Sequence, residues 1–251
     1  MLLLTLLALA ADPPPAPAMV TMVRGSVTLV DAGKRSPAPA PPFILAATQS
    51  LDLAADAHVV FLRQGGAFAV DGPKQVDPSS FRTTSNAGDK VGDLLAKRTS
   101  LAAAGAARGA GPSITRPVPN ANAMVVTEVR WTCDNCGLQT VGIVDLRTDQ
   151  SVWSGNGTGS AILSGIKLGP GTYAVTVGGT ERTFRVVDLA AADAVLASVK
   201  ADSLANENDR AAAGAGALYL AGYPTDALTM LEQHGLTGMV AEYERLAGVA
   251  P

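Results

Sequence analysis

Histidine and cysteine are scarce in this chain, with two of each among 251 residues. His58 and His234 lie far apart and neither belongs to an H-E-x-x-H frame. No G-x-S-x-G nucleophile elbow is present either. Zinc wants four ligands, and the histidines form no spaced pair with the cysteines. Aromatic residues make up only 4%, so any core must be built mostly from Ala, Val and Leu. A basic surplus is missing as well: 19 basic residues stand against 22 acidic ones, a net charge of −3. Such a balance gives no electrostatic footprint for nucleic acid or anionic lipid. Long apolar runs are also absent; the longest is far short of the about 20 residues that span a bilayer.

What is present is apolar and turn-rich. Hydrophobic residues reach 47%, enough for a packed core, and 26 glycines and 16 prolines favour short elements joined by turns. Residues 1–11 read as a secretory signal, with Ala8-Leu9-Ala10 as a small-x-small cleavage pattern, although no Lys or Arg precedes the apolar run. No cysteine follows that could take a lipid anchor. The expectation is a periplasmic or secreted chain with no stable membrane insertion once the signal is cut. Residues 12–18, with four prolines, form an extended spacer.

A first β unit is expected over residues 19–82. Val23, Gly25, Val27 and Leu29 alternate with Arg24, Ser26 and Thr28. His58 to Leu62 and Ala67 to Val70 flank Gln64-Gly65-Gly66, a hairpin signal. The run Val23-Arg24-Gly25-Ser26-Val27, the proline-broken loop and this hairpin together resemble the FecR-like domain of bacterial envelope proteins. The resemblance covers roughly Met19 to Phe81; the family's Gly-Asp pair is replaced here by Ala46-Ala47-Thr48-Gln49-Ser50. It implies a small β-rich periplasmic domain used in signalling or envelope binding, with no catalytic residues to carry over.

Residues 83–122 read as a helix, from Asp89 to Gly105, followed by a linker at Thr115 to Asn120. A small antiparallel β-sandwich is expected over residues 123–187, with Trp131 and Trp153 as its bulkiest core candidates. Leu168-Gly169-Pro170-Gly171-Thr172-Tyr173 resembles the tyrosine-corner approach of immunoglobulin-like and fibronectin-like sandwiches, in which a Tyr hydroxyl ties back to upstream backbone. Gly155 to Gly159 leads into a strand, so it reads as a hairpin loop and not a phosphate cradle. The fold class is therefore mainly β with α.

Residues 188–251 turn alanine-rich and helical, with Asp188 as an N-cap and Thr237 capping a last helix. The run from Ala217 to Leu231 resembles one tetratricopeptide-type helix pair, and an array needs about three. The tail reads as a helical hairpin docked on the chain, either a partner surface or a cap over the sandwich. Gly214-Ala215-Gly216, inside a helix, suits close packing.

Cys133-Asp134-Asn135-Cys136-Gly137 is the sharpest local feature, and three chemistries compete for its pair. An oxidising compartment favours a structural disulfide across a tight turn. A redox-active dithiol would need an acidified thiol, usually at a helix N-terminus, and no helical pattern follows. A metal site would need ligands from elsewhere. The staple is the reading adopted, with Cys133 and Cys136 as disulfide residues and Trp131 and Tyr173 as structural ones. No catalytic residue, cofactor or metal is expected. The functional expectation is an exported, non-enzymatic binding or scaffold protein whose partner is an envelope protein or cell-wall component. The alternative is a periplasmic thiol–disulfide protein acting through Cys133 and Cys136.

Overall fold

The computed structural model describes residues 16–80, 90–96, 111–200 and 204–249. The signal-like stretch 1–11, most of the spacer 12–18, Phe81 and Arg82 at the end of the first unit, and the expected helix beyond residue 96 lie outside the described residues. No helix among the described residues is long and apolar enough to cross a membrane. The fold is mainly β with helices, in four sheets.

The first unit contains Ala18–Arg24 (β1), Val27–Asp31 (β2), Lys34–Pro37 (β3), Phe43–Leu45 (β4), Gln49–Leu53 (β5), His58–Arg63 (β6), Gly66–Asp71 (β7) and Lys74–Val76 (β8). These form two sheets of order β4-β1-β6-β7 and β3-β2-β5-β8. Val20, Leu45, Leu51, Val59, Phe61 and Val70 fill the space between them. Gly25, at φ +71°, makes the turn after β1; a Cβ there would come within 2.3 Å of the Asp56 carbonyl oxygen.

The β4-β1-β6-β7 sheet is buried on both faces. Its second face carries Met19, Met22, Val60, Leu62 and Ala67, which pack against helices. This explains why β6 is a continuous apolar run and not an alternating one. A register shift between Val20 and Met22 leaves Thr21 as the extra residue of a bulge, and its hydroxyl donates to the Val60 carbonyl at 3.2 Å.

A short helix, Lys90–Ala96 (α1), precedes the middle module. That module contains Ser113–Arg116 (β9), Asn122–Ala123 (β10), Glu128–Thr132 (β11), Gln139–Asp145 (β12), Gln150–Gly157 (β13), Ser160–Ile162 (β14), Gly171–Val177 (β15) and Thr180–Val186 (β16). Sheets of order β10-β16-β15-β12-β13 and β14-β11-β9 enclose Val129, Trp131, Ile143, Tyr173, Val175 and Phe184. Three sequence expectations change here. Thr115 and Arg116, expected in a linker, lie in β9, and Pro117 and Val118 are buried. Gly155 and Gly157 belong to β13, so the turn is only Thr158-Gly159. The β10–β16 pair is parallel, so the module is not wholly antiparallel.

The tail holds four helices, Leu189–Val199 (α2), Glu207–Leu220 (α3), Pro224–Gln233 (α4) and Thr237–Ala247 (α5), packed as a layer and not as one docked hairpin. Asp188 caps α2, its carboxylate accepting from the Ala190 N–H at 3.1 Å. Thr237 is not a cap; it is the first residue of α5, behind Leu236. Helix α3 is the centre of this layer, buried on every side from Ala211 to Leu220. Its two interior glycines set how deeply it sinks. A Cβ on Gly216 would come within 2.4 Å of Thr21 Cγ2 on β1, and one on Gly214 within 2.8 Å of Met230 Sδ on α4. The helices therefore cover the outer face of the first unit's sheet, while the middle module lies between the two in sequence.

Candidate functional site

Strand β11 leads directly into the cystine loop. Trp131 points into the module core, 3% exposed, with its indole beside Gly157 on β13. A Cβ on Gly157 would come within 1.9 Å of the Ser160 carbonyl oxygen and 3.0 Å of the ring, so the close approach of β14 requires this glycine and the ring lies just beyond. Trp153 also packs on that core, half-buried and lying along Gly155. The Cys133 and Cys136 sulfurs are at bonding distance, with Cα atoms 5.7 Å apart. Asn135 takes φ +60° between them, a conformation Asn tolerates better than most residues. Asp134, Asn135 and Gly137 are exposed, and the next element is strand β12.

Strand pairing places this loop at one pole of the module. Val141 pairs with Val177, and Val177 with Thr180, so the start of β12 and the β15–β16 turn share that pole. Gly171 and Val186 pair at the other pole, where the chain leaves for α2. At the cystine pole the Leu138 side chain is 72% exposed. It walls an open cleft of about 530 Å³ with Gln139, Thr140, Gly142 and Thr176 as other lining residues. Gly178 and Gly179 close one end. The lining offers hydroxyls, a carboxamide and backbone, beside one large apolar side chain. That composition suits docking of a neutral polar surface; it holds no proton donor or acceptor titrating near neutral pH.

Tyr173 is 5% exposed and its hydroxyl donates to the Gly169 carbonyl at 2.8 Å. Burial raises its pKa, with Asp145 adding to the effect and Arg147 opposing it. The ring stacks on Phe184 with centroids 5.6 Å apart. Tyr173 thus fixes the loop at the far pole and takes no part in the cleft.

The residues that hold the module on the helices escaped the sequence reading. Arg116 and Arg130 are cross-strand partners on β9 and β11. Both donate to Glu232 of α4, at 2.5 Å and 2.7 Å. Arg116 is only 2% exposed and reaches Glu244 of α5 at 3.4 Å. Burial alone would raise the Glu232 carboxyl, but the two guanidiniums outweigh it and hold the carboxyl below its usual value. At the start of α4, the Thr225 hydroxyl accepts the Val118 N–H at 2.9 Å. The Asp226 carboxylate accepts the Met124 and Val125 N–H groups at 2.9 Å and 3.3 Å. Burial nonetheless pushes Asp226 up to about 6. The sequence signal there is weak: Arg116 stands between Ile114 and Val118 in a proline-broken stretch of linker composition.

Both histidines are engaged by acidic residues in the first turn of α3. His58 Nε2 lies 3.0 Å from Asp209, and His234 Nδ1 lies 3.5 Å from Glu207. No protein-family model, curated protein or solved structure matches this chain.

Proposed function

We propose that this chain is an exported, non-enzymatic binding or scaffold protein of the bacterial cell envelope, acting in a signalling or structural assembly. The observation that carries the reading is the cystine pole: a cleft of about 530 Å³ beside an exposed Leu138, on a module clamped by buried ion pairs. Preorganised loops at one end of a two-sheet module are a common way to present a binding surface. The signal-like residues 1–11 and the FecR-like pattern of residues 19–82 supply the envelope context. In that reading the first unit is FecR-like, the middle module immunoglobulin-like, and α3 with α4 a tetratricopeptide-like pair. The partner is an envelope protein or cell-wall component.

Cross-linking from position 140, in the lining of the same cleft, of the tagged mature chain in intact cells tests this. One discrete adduct, lost on Leu138→Asp, is the expected result. A chain recovered from the cytosol with free thiols would overturn it.

The thiol–disulfide alternative uses the same loop, in which Asp134 and Asn135 are exposed while both cysteines are half-buried. The strand that follows Cys136 supplies no helix dipole to acidify a thiol, which favours a staple. Titration against glutathione separates the two. A staple lies below about −300 mV, and an oxidoreductase above it.

A further inference from the structure

At the pole opposite the cystine loop, a cleft of about 500 Å³ opens where the module passes into α2. Two arginines line it, Arg185 of β16 and Arg147 of the turn after β12. Arg185 stands directly across from Thr172 on the outward face of the sheet, since its neighbour Phe184 points into the core. Arg147 donates its backbone N–H to Asp145, but among the described residues neither guanidinium has a hydrogen-bond or ion-pair partner.

This is unusual in this chain. Arg35, Arg116, Arg130 and Arg245 are held by carboxylates, and Arg63, Arg182 and Arg210 by carbonyls. Apart from Arg24, the two unpaired guanidiniums among the described residues share one cleft. Carboxylates are not in short supply, since acidic residues outnumber basic ones by 22 to 19. The one acidic residue in the lining, Asp188, is already committed to the N-terminus of α2. Thr172 adds a hydroxyl, and the apolar part of the lining is Leu146, 45% exposed, with Pro170 and Val187.

We propose that this cleft binds a small amphipathic organic acid, its carboxylate on Arg147 and Arg185 and its apolar body against Leu146, Pro170 and Val187. The planar guanidinium fork matches a carboxylate, and each charge-assisted bond is worth more than a neutral one. A volume of this size suits a small ligand and not a folded partner. The site is independent of the cystine pole, so either reading can fail alone.

The test is an amide-shift titration of the full mature chain with hexanoate, with hexanol and inorganic phosphate as separate arms. Saturable shifts confined to residues 146–147, 171–172 and 185–188 are expected with hexanoate. Arg147→Gln and Arg185→Gln should each weaken binding by about tenfold, and the double variant should abolish it while its remaining amide spectrum stays in place. Hexanol should leave the cleft unshifted. No saturable shift with hexanoate, or undiminished binding by the double variant, would overturn the site. Equal binding of hexanol, or phosphate binding as tightly as hexanoate, would overturn the ligand class.

Discussion

His58 on β6 and Asp209 on α3, far apart in the chain, meet at 3.0 Å between the first unit's sheet and its helical cover. The other ring nitrogen of His58 lies 2.6 Å from Asp71 on β7. Asp209 is 2% exposed, and its second carboxylate oxygen has no partner. His58→Ala would strand that carboxylate, at an expected cost of about 3 kcal/mol. His58→Ala with Asp209→Ala should cost clearly less than the sum of the single changes, as read from a denaturant double-mutant cycle. Additive costs would mean that the pair does not couple the layers.

Asp226 gives a pH signature. An unfolded aspartate titrates near about 3.9, whereas burial lifts Asp226 to about 6 in the fold. Between these values the folded chain holds more protons than the unfolded one, so stability falls as pH rises through that window. The full penalty, on the order of 3 kcal/mol, applies above pH 6. Asp226→Asn keeps one acceptor and no charge. The stability of the wild type minus that of this variant should decline from pH 4 to 6. A flat difference curve would count against the burial.

Glu232 has the opposite sign. Its lowered carboxyl pKa contributes stability that is present above the unfolded value and lost as pH falls through the folded one. Glu232→Ala leaves Arg116 buried without its closest partner, for a loss of about 3–5 kcal/mol. Replacing both Arg116 and Glu232 with Met and Leu should recover most of it. Hydrogen exchange on β9 and α4 should report the loosening in the single variant and its absence in the double.

Tyr173→Phe removes the 2.8 Å bond to the Gly169 carbonyl. About 1 kcal/mol should be lost, read as a lower midpoint in urea with an unchanged slope. An unmoved midpoint would show that the bond contributes nothing.

Ending the chain before Leu189 uncovers Met19, Met22, Val60 and Leu62 together. Contiguous apolar surface of this kind drives association. The truncated chain should aggregate on expression, whereas a tail serving only as a partner surface would leave a soluble β core.

Much of the local structure can be read from the sequence. Alternation marks β11, the Gln64-Gly65 turn marks the β6–β7 hairpin, and Asp188 with its spaced apolar residues marks α2; the alternation from Val23 to Leu29, by contrast, runs across the Gly25 turn that separates β1 from β2. The tertiary partners are not legible in the same way. Arg116 lies in a proline-broken stretch that has linker composition, and the glutamates that hold it come from α4 and α5. The Thr21 bulge depends on which strand lies beside β1. Helix α3 does carry a usable signal: Ala211 to Leu220 is small or apolar on every face, which marks a helix enclosed on all sides. Only the fold shows that strand β1 forms one of those walls, at Gly216 and Thr21.

That contact also sets a timetable. Synthesis delivers the chain from its N-terminus, so β1 and β6 emerge before α3 exists to lie over them. During that interval the middle module can already be folding on its own strands. Until the helices follow, the apolar face of Met19, Met22, Val60 and Leu62 has no cover from its own chain, the kind of transiently exposed surface that favours association. The last quarter of the polypeptide thus completes a layer that its first quarter begins.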